Sequence, residues 1–258
     1  MPNPMYMDSQ KELTWTLRGV LVHWLIQVHA YLGLMPETLF LTVNVIDHIL
    51  SACVVSLAKL LLVGITSLFI ASKVEEVVSP PIVCFLNCTT MSYMRDEMLQ
   101  VERYVLKTLE WNLSYANPIY FLQRVSRAND HNVKARTIAQ YLIEISCLEW
   151  RLLSAPPSLL AAAAIWLACL ILDNETWVHH STSFMMCCYL LHIQQTPNLA
   201  HHSSYDESQL FLLCSTTYSN LPSMNHSTKN MPTRNTLSNY LCLTSNSQSS
   251  LVVVHMHL

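Results

Sequence analysis

Histidine and cysteine are the side chains best equipped for metal or nucleophilic chemistry, and in this chain their spacing supports neither. Of twelve histidines, His179-His180, His201-His202, His255 and His257 lie in irregular stretches without ligand spacing. The nine cysteines contain no C-x-x-C pair, and Cys84, Cys88 and Cys187-Cys188 make no recognisable zinc or disulfide framework. Cys53, Cys147 and Cys169 sit among apolar helical residues and read as small core residues in a reducing compartment. The sequons at Asn87-Cys88-Thr89 and Asn174-Glu175-Thr176 then read as chance matches. No nucleophile–base or metal constellation stands out. The expectation is a non-enzyme with no cofactor and no metal.

The informative charges are those set inside apolar runs. Arg18 lies in Leu17–Val28, LRGVLVHWLIQV, and must be paired. Lys73 closes a nearly all-apolar helix that ends in ASKVEE, and Glu102 interrupts the run Leu99, Val101, Tyr104, Val105. An unpaired buried charge is costly, so each of these needs a partner. Lys73 has two simple uses: complementing the C-terminal end of its helix dipole, or pairing with Glu102 in the monomer. Such residues serve gripping rather than catalysis.

The elements that position them are helical. Half of the 258 residues are apolar, with only 3 glycines and 11 prolines and few alternating β-branched runs. Leu17, Val20, Leu21, Trp24 and Val28 recur at helical spacing and predict one buried face. A second helix is expected at about Pro36 to Ser51, with Leu39, Val43, Ile46 and Leu50 as its stripe. The third, at about Leu57 to Glu75, is apolar all round and must be surrounded by other helices. Ser79-Pro80-Pro81 breaks the chain before a short fourth helix, and a fifth runs from about Arg95 to Leu109.

Asn117-Pro118 is a second start signal, an N-cap followed by proline at the first helical position. Helices at about Ile119 to Arg127 and Lys134 to Trp150 follow. Pro156-Pro157 then opens SLLAAAAIWLACLIL, a second all-round apolar helix about a hundred residues after the first. Two five-helix units, each wrapped around an apolar third helix, account for this repeat. The fold class is all-α.

Charge and hydropathy narrow the classes. A formal charge of −3 lays no basic footprint for direct nucleic-acid binding. Mean hydropathy of +0.29 raises a membrane reading. Leu60 to Ser72 and Ser158 to Leu172 both fall short of the roughly 18 residues a span needs, so no membrane partner is expected. The N-terminus shows no secretory pattern.

The segments LRGVLVHWLIQVH, PETLFLTVNVIDHIL, LLLVGITSLFIASKVEEV, VERYVLKTLEW and PPSLLAAAAIWLACLIL, in this order, resemble the cyclins, in particular fungal B-type mitotic cyclins. YMDSQKELTW resembles that family's lead-in helix, and the likeness runs from about Tyr6 to Trp177. The resemblance implies a regulatory subunit that binds and activates a cyclin-dependent protein kinase at the G2/M transition, in nucleus and cytoplasm. It implies a lead-in at 1–14, an N-terminal box at 15–115 and a C-terminal box at 116–220. An atypical insertion is expected at about 178–196 and a low-order polar tail at 221–258.

By the same resemblance Lys73 and Glu102 are the polar anchors on the kinase, and Ile70, Val74, Leu106, Trp111 and Leu113 the apolar part of that face. Ordinary core packing is the alternative for each apolar residue. Arg18 and Asp47 are expected to form a buried structural ion pair. Leu17, Val20, Leu21, Trp24, Gln27, Leu60 and Leu61 match a docking patch for short R-x-L segments of substrates or inhibitors, with inward packing as the alternative for Leu21 and Trp24.

The chain departs from the family at four of these places. Gln27 stands where an acidic residue is common, Leu61 where a glutamine is, His23 for an aspartate and His48 for an arginine. A basic closing segment and an N-terminal R-x-x-L destruction signal are also not seen. Two other function classes stay open: a cyclin-fold transcription adaptor, and a truncated or misspliced product that activates nothing.

Overall fold

The computed structural model of the chain describes residues 1–90, 92–128 and 132–172. Thr14 starts the first helix: its hydroxyl accepts from the Leu17 amide at 3.3 Å, satisfying one free donor of α1 (Trp15–Tyr31). Gly33, at φ +64°, ends it, because a left-handed residue lets the amides of Gly33 and Leu34 turn back to Ala30 and His29. Next come α2 (Pro36–Ala52), α3 (Leu57–Glu75), α4 (Ile82–Cys88) and α5 (Arg95–Thr108). The second box contributes α6 (Pro118–Ala128), α7 (Val133–Ser146) and α8 (Pro157–Ile171). Among the described residues all regular structure is helical.

The central helix is where the apolar pattern places it. Every residue of α3 from Leu62 through Ser72 is buried, against α1, α2, α4 and α5. At 19 residues α3 is long and apolar enough to cross a membrane by composition, longer than the stretch read from the sequence. Two thirds of that window, 67%, is buried inside the protein, so its hydrophobicity is spent on the box. In the second box α8 packs on both α6 and α7, and its alanines Ala161 to Ala164 are all buried. Their small side chains allow neighbouring helices to approach closely.

Three expectations need correction. YMDS is a 3-10 turn, Tyr6–Ser9, rather than an α-helix. The seventh helix ends at Ser146, and Trp150 belongs to a separate 3-10 turn, Trp150–Leu152. The buried face of α1 is Arg18, Leu21, Val22, Leu25, Val28 and His29, while Val20 is 55% exposed. This helix is apolar on two sides, so spacing alone satisfied either choice. Packing against α3 decides it: a Cβ on Gly64 would lie 2.7 Å from a Leu21 methyl, so α1 crosses α3 where no side chain intervenes. The expected insertion and polar tail lie outside the described residues.

Candidate functional site

Arg18 and Asp47 meet in a fork. The Arg18 Nε and Nη2 groups donate to the two Asp47 carboxylate oxygens, each at 2.7 Å, with both residues at 3% exposure or less. A bidentate pair of this geometry is the strong form of the interaction. Burial opposes the Arg18 charge, but the adjacent Asp47 more than offsets this and raises the guanidinium above its ordinary value. Two further contacts make a hub. The Tyr6 hydroxyl donates to Asp47 at 2.8 Å, and Arg18 Nη1 donates to the Cys147 carbonyl at 2.8 Å. Arg18 thus links the lead-in turn, α1 and α2 to the second box. Tyr6 and Cys147 carry no sequence signal for that role, since the contact to Cys147 spans 129 residues.

Lys73 and Glu102 also meet, at 2.6 Å, across α3 and α5. The Lys73 side chain is 44% exposed and Glu102 is mostly covered. Lys73 Nζ also lies 3.9 Å from the Phe69 ring centroid, a cation–π distance. Half of this pair therefore faces solvent with donor capacity to spare, because an ammonium has three N–H groups and one is used here.

The residues expected around this pair divide. Ile70 and Leu106 are 2% and 8% exposed and belong to the core beneath it, so neither forms part of a surface. The reason is position: Ile70 lies within the buried run of α3, and Leu106 is one turn after Glu102 on the face of α5 turned to the core. Leu113 is half-buried, whereas Val74 and Trp111 are exposed. Val77 and Val78, which the sequence reading passed over, are 96% and 83% exposed.

Trp111 is held in an unusual backbone. Glu110 and Trp111 have φ of +52° and +59°, and the Trp111 amide closes onto the Leu106 carbonyl at 2.8 Å. Left-handed residues other than glycine cost about 1–2 kcal/mol each. The turn is how α5 ends: the Glu110 and Trp111 amides close onto the Lys107 and Leu106 carbonyls, as the Gly33 and Leu34 amides do at the end of α1, and it leaves the indole exposed.

The α1 patch divides in the same way. Leu21 and Leu60 are core residues, buried because α1 and α3 touch along them, and form a floor only. Val20 is exposed, Leu17, Trp24 and Leu61 are half-buried, and the exposed Gln27 amide lies 3.2 Å from the His23 ring. Burial lowers the pKa of His23, which favours its neutral form.

The joint between the boxes was the part least visible beforehand. Asn117 is fully buried: its Oδ1 accepts from the Ile119 amide at 3.1 Å, capping α6, while its Nδ2 donates to the Glu37 carbonyl at 3.0 Å. Trp15 stacks on Trp150 at 4.9 Å. A cavity of about 400 Å³ lies beside this joint, walled by Phe40, Val43, Tyr115, Phe121 and Ile143. Burial raises the Tyr115 hydroxyl and pushes the neighbouring Cys147 thiol up to about 12, and a protonated thiol is a poor nucleophile. Among the described residues no group of His, Cys, Asp or Glu could hold a metal ion.

Two helical boxes in series, joined through a buried asparagine and an arginine fork, define a tandem-box scaffold that presents surface charges and apolar side chains. Comparison with known proteins specifies the scaffold. The profile of the cyclin N-terminal domain matches residues 1–114, and that of the cyclin C-terminal domain residues 116–253. The chain belongs to the cyclin family.

It is 48% identical over 210 residues to the G2/mitotic-specific cyclin cdc13 of Schizosaccharomyces pombe, and 45% identical over 210 residues to the G2/mitotic-specific cyclin-B of Emericella nidulans. Each alignment covers 81% of this chain and 40% of the relative, so the chain spans well under half the length of these curated relatives. Among solved structures, a viral cyclin from herpesvirus saimiri matches with a TM-score of 0.59 at 17% identity, covering 82% of this chain and 84% of that one. That likeness speaks for the fold.

Proposed function

We propose that this chain is a regulatory subunit that binds and activates a cyclin-dependent protein serine/threonine kinase and acts at the G2/M transition. The observation that carries the reading is the Lys73–Glu102 pair, assembled in the free chain at 2.6 Å with Lys73 half open to solvent. Glu102 orients the ammonium, and the spare N–H groups of Lys73 are available to carbonyl or carboxylate oxygens of a partner. Val74, Val77, Val78 and Trp111 supply exposed apolar area carried by the same α3 end and the turn after α5. Exposed aromatic and aliphatic anchors beside an orienting charge pair are what a protein interface uses.

In the kinase the consequence is positional. Holding its C-helix lets the kinase's own glutamate pair with the lysine that places ATP phosphates, a requirement for phosphoryl transfer. The similarity to two proteins named as G2/mitotic-specific cyclins supports the cell-cycle stage. Nucleus and cytoplasm are the proposed locations, which fluorescence imaging of a tagged chain tests directly.

Substrate docking is proposed for the exposed Val20 together with the half-buried Leu17, Trp24 and Leu61, over the floor of Leu21 and Leu60. With Gln27 uncharged, the grip on an arginine-bearing segment is expected to be weak. The decisive experiment is capture of a mitotic cyclin-dependent kinase by the purified chain, followed by histone phosphorylation by the complex. Activity in the captured complex is the expected result; a folded chain that captures no kinase overturns the proposal.

A further inference from the structure

The last turn of α3 ends in three polar residues that reach three different elements. Lys73 pairs with Glu102 of α5, Glu75 accepts from the Tyr120 hydroxyl of α6 at 3.1 Å, and Glu76 turns to the start of α2. The Glu76 contact is the shortest of the tethers holding the end of α3 to another helix besides the Lys73 pair. Its carboxylate accepts from the Thr38 hydroxyl at 2.6 Å and from the Met35 amide at 2.7 Å.

The start of α2 needs that anion. Its N-cap residue is Met35, whose side chain accepts no capping hydrogen bond, and proline occupies the next position. A helix N-terminus with free N–H groups and a positive dipole end favours a carboxylate. Thr38 is fully buried, so its hydroxyl has Glu76 as its partner away from solvent. Glu76 is also the C-cap of α3, and its amide donates to the Ser72 carbonyl at 3.1 Å. Beyond it Val77 and Val78 are nearly fully exposed. Glu76 thus ties the end of α3 to α2 three residues after Lys73, and beyond the two valines the Ser79 hydroxyl returns to the Ser72 hydroxyl of α3 itself at 2.8 Å.

Helix ends fray unless tied down. If the last turn of α3 opened, Lys73 would lose its place above Phe69 and opposite Glu102. We infer that Glu76 is a positioning residue for partner binding: by capping α2 from the end of α3, it holds Lys73 in the register that the kinase meets. The inference rests on the kinase-binding reading above. It makes α2, which carries none of the proposed contact residues, a determinant of the contact face.

A thermodynamic cycle tests it. Affinity for a mitotic cyclin-dependent kinase is measured by calorimetry for wild type, Glu76→Ala, Lys73→Ala and the double variant, with melting temperatures alongside. Glu76→Ala is expected to weaken binding about tenfold when Lys73 is present and by less than about twofold when it is absent, the non-additivity of coupled residues. Glu76→Gln, which keeps one acceptor oxygen, is expected to fall between wild type and Glu76→Ala.

Equal losses in both Lys73 backgrounds would mean general destabilisation and overturn the inference, as would unchanged affinity in Glu76→Ala. If Glu76→Ala does not fold, Glu76→Gln enters the same cycle with the same criterion. Wild type that fails to bind any such kinase overturns the parent reading and this inference with it. That outcome is visible in the wild-type arm alone.

Discussion

The first box holds two short ion pairs, Arg18–Asp47 and Lys73–Glu102, and they differ in surroundings more than in chemistry. Both join two helices through charge-assisted hydrogen bonds of 2.6–2.7 Å. Around Arg18 and Asp47 each guanidinium nitrogen and both carboxylate oxygens have a partner inside the chain, with Tyr6 donating to the aspartate and the Cys147 carbonyl accepting from the arginine. The pair is closed, and at 3% exposure or less it serves internal geometry. Lys73 keeps 44% of its side chain exposed, so its pair is open on one side and can be completed by another molecule. A closed pair is an internal joint; the open one keeps donors for solvent, and in the proposed function these meet the kinase.

The sharpest way to break the closed pair is Asp47→Ala. It strands a buried guanidinium and is expected to cost about 3–5 kcal/mol of stability. Denaturant unfolding measures this, and a loss below about 1 kcal/mol would show that the fork between α1 and α2 is not a main support of the fold.

The open pair calls for the opposite outcome. Lys73→Ala with Glu102→Ala is expected to lower kinase affinity by about 2–5 kcal/mol. Helical content and melting should stay near wild type, since half-exposed pairs contribute about 1 kcal/mol or less. Calorimetric titration together with circular dichroism separates the two readouts. Kinase binding that survives the double substitution places the interface elsewhere.

Two smaller effects sharpen the same contrast. Trp111→Ala removes a side chain that is 72% exposed. Its expected signature is a binding loss of about 1–2 kcal/mol with stability changed by less than about 0.5 kcal/mol. A fall in melting temperature without loss of affinity would make this tryptophan a packing residue after all.

On the closed side, burial and the neighbouring Asp47 raise the Tyr6 hydroxyl above its ordinary value. A raised folded-state pKa means that the protonated form is favoured by folding. The contribution is therefore complete below about pH 10 and declines as pH rises beyond it. Wild type should lose about 1 kcal/mol more than Tyr6→Phe between about pH 9 and about pH 11, read from denaturation midpoints. Parallel pH profiles for the two proteins would separate Tyr6 from the fork.

Much of this was legible beforehand because it depends on local pattern. The all-apolar run of α3 could only be a surrounded helix, and its ends at Leu57 and Glu75 follow from the polar residues that bound it. Asn117-Pro118 marks the second start because N-cap and proline chemistry is written in adjacent residues. Lys73, Glu102 and Arg18 were visible as charges in apolar surroundings, where each requires a partner, and Asp47 entered only through the family resemblance.

Burial within a face was not legible. Ile70 and Leu106 share their helices with Lys73 and Glu102, and nothing in residue type distinguishes a core leucine from a contact leucine. Val20 and Leu21 were equally apolar, and only the bare Gly64 opposite selected Leu21 for the interior.

By itself the sequence determined the elements: helix type, helix order, the two apolar centres and the charges that had to be satisfied. These follow from periodicity and from the cost of an unpaired charge, which act over a few residues. Tertiary structure alone decided which partner each charge took and which side remained open. Tyr6 to Asp47, Arg18 to Cys147, Asn117 to Glu37 and Glu76 to Thr38 are contacts between residues 38 to 129 positions apart. Hydrogen bonds of this kind depend on where helices cross, and crossing is set by close packing at points such as Gly64 that carry no charge.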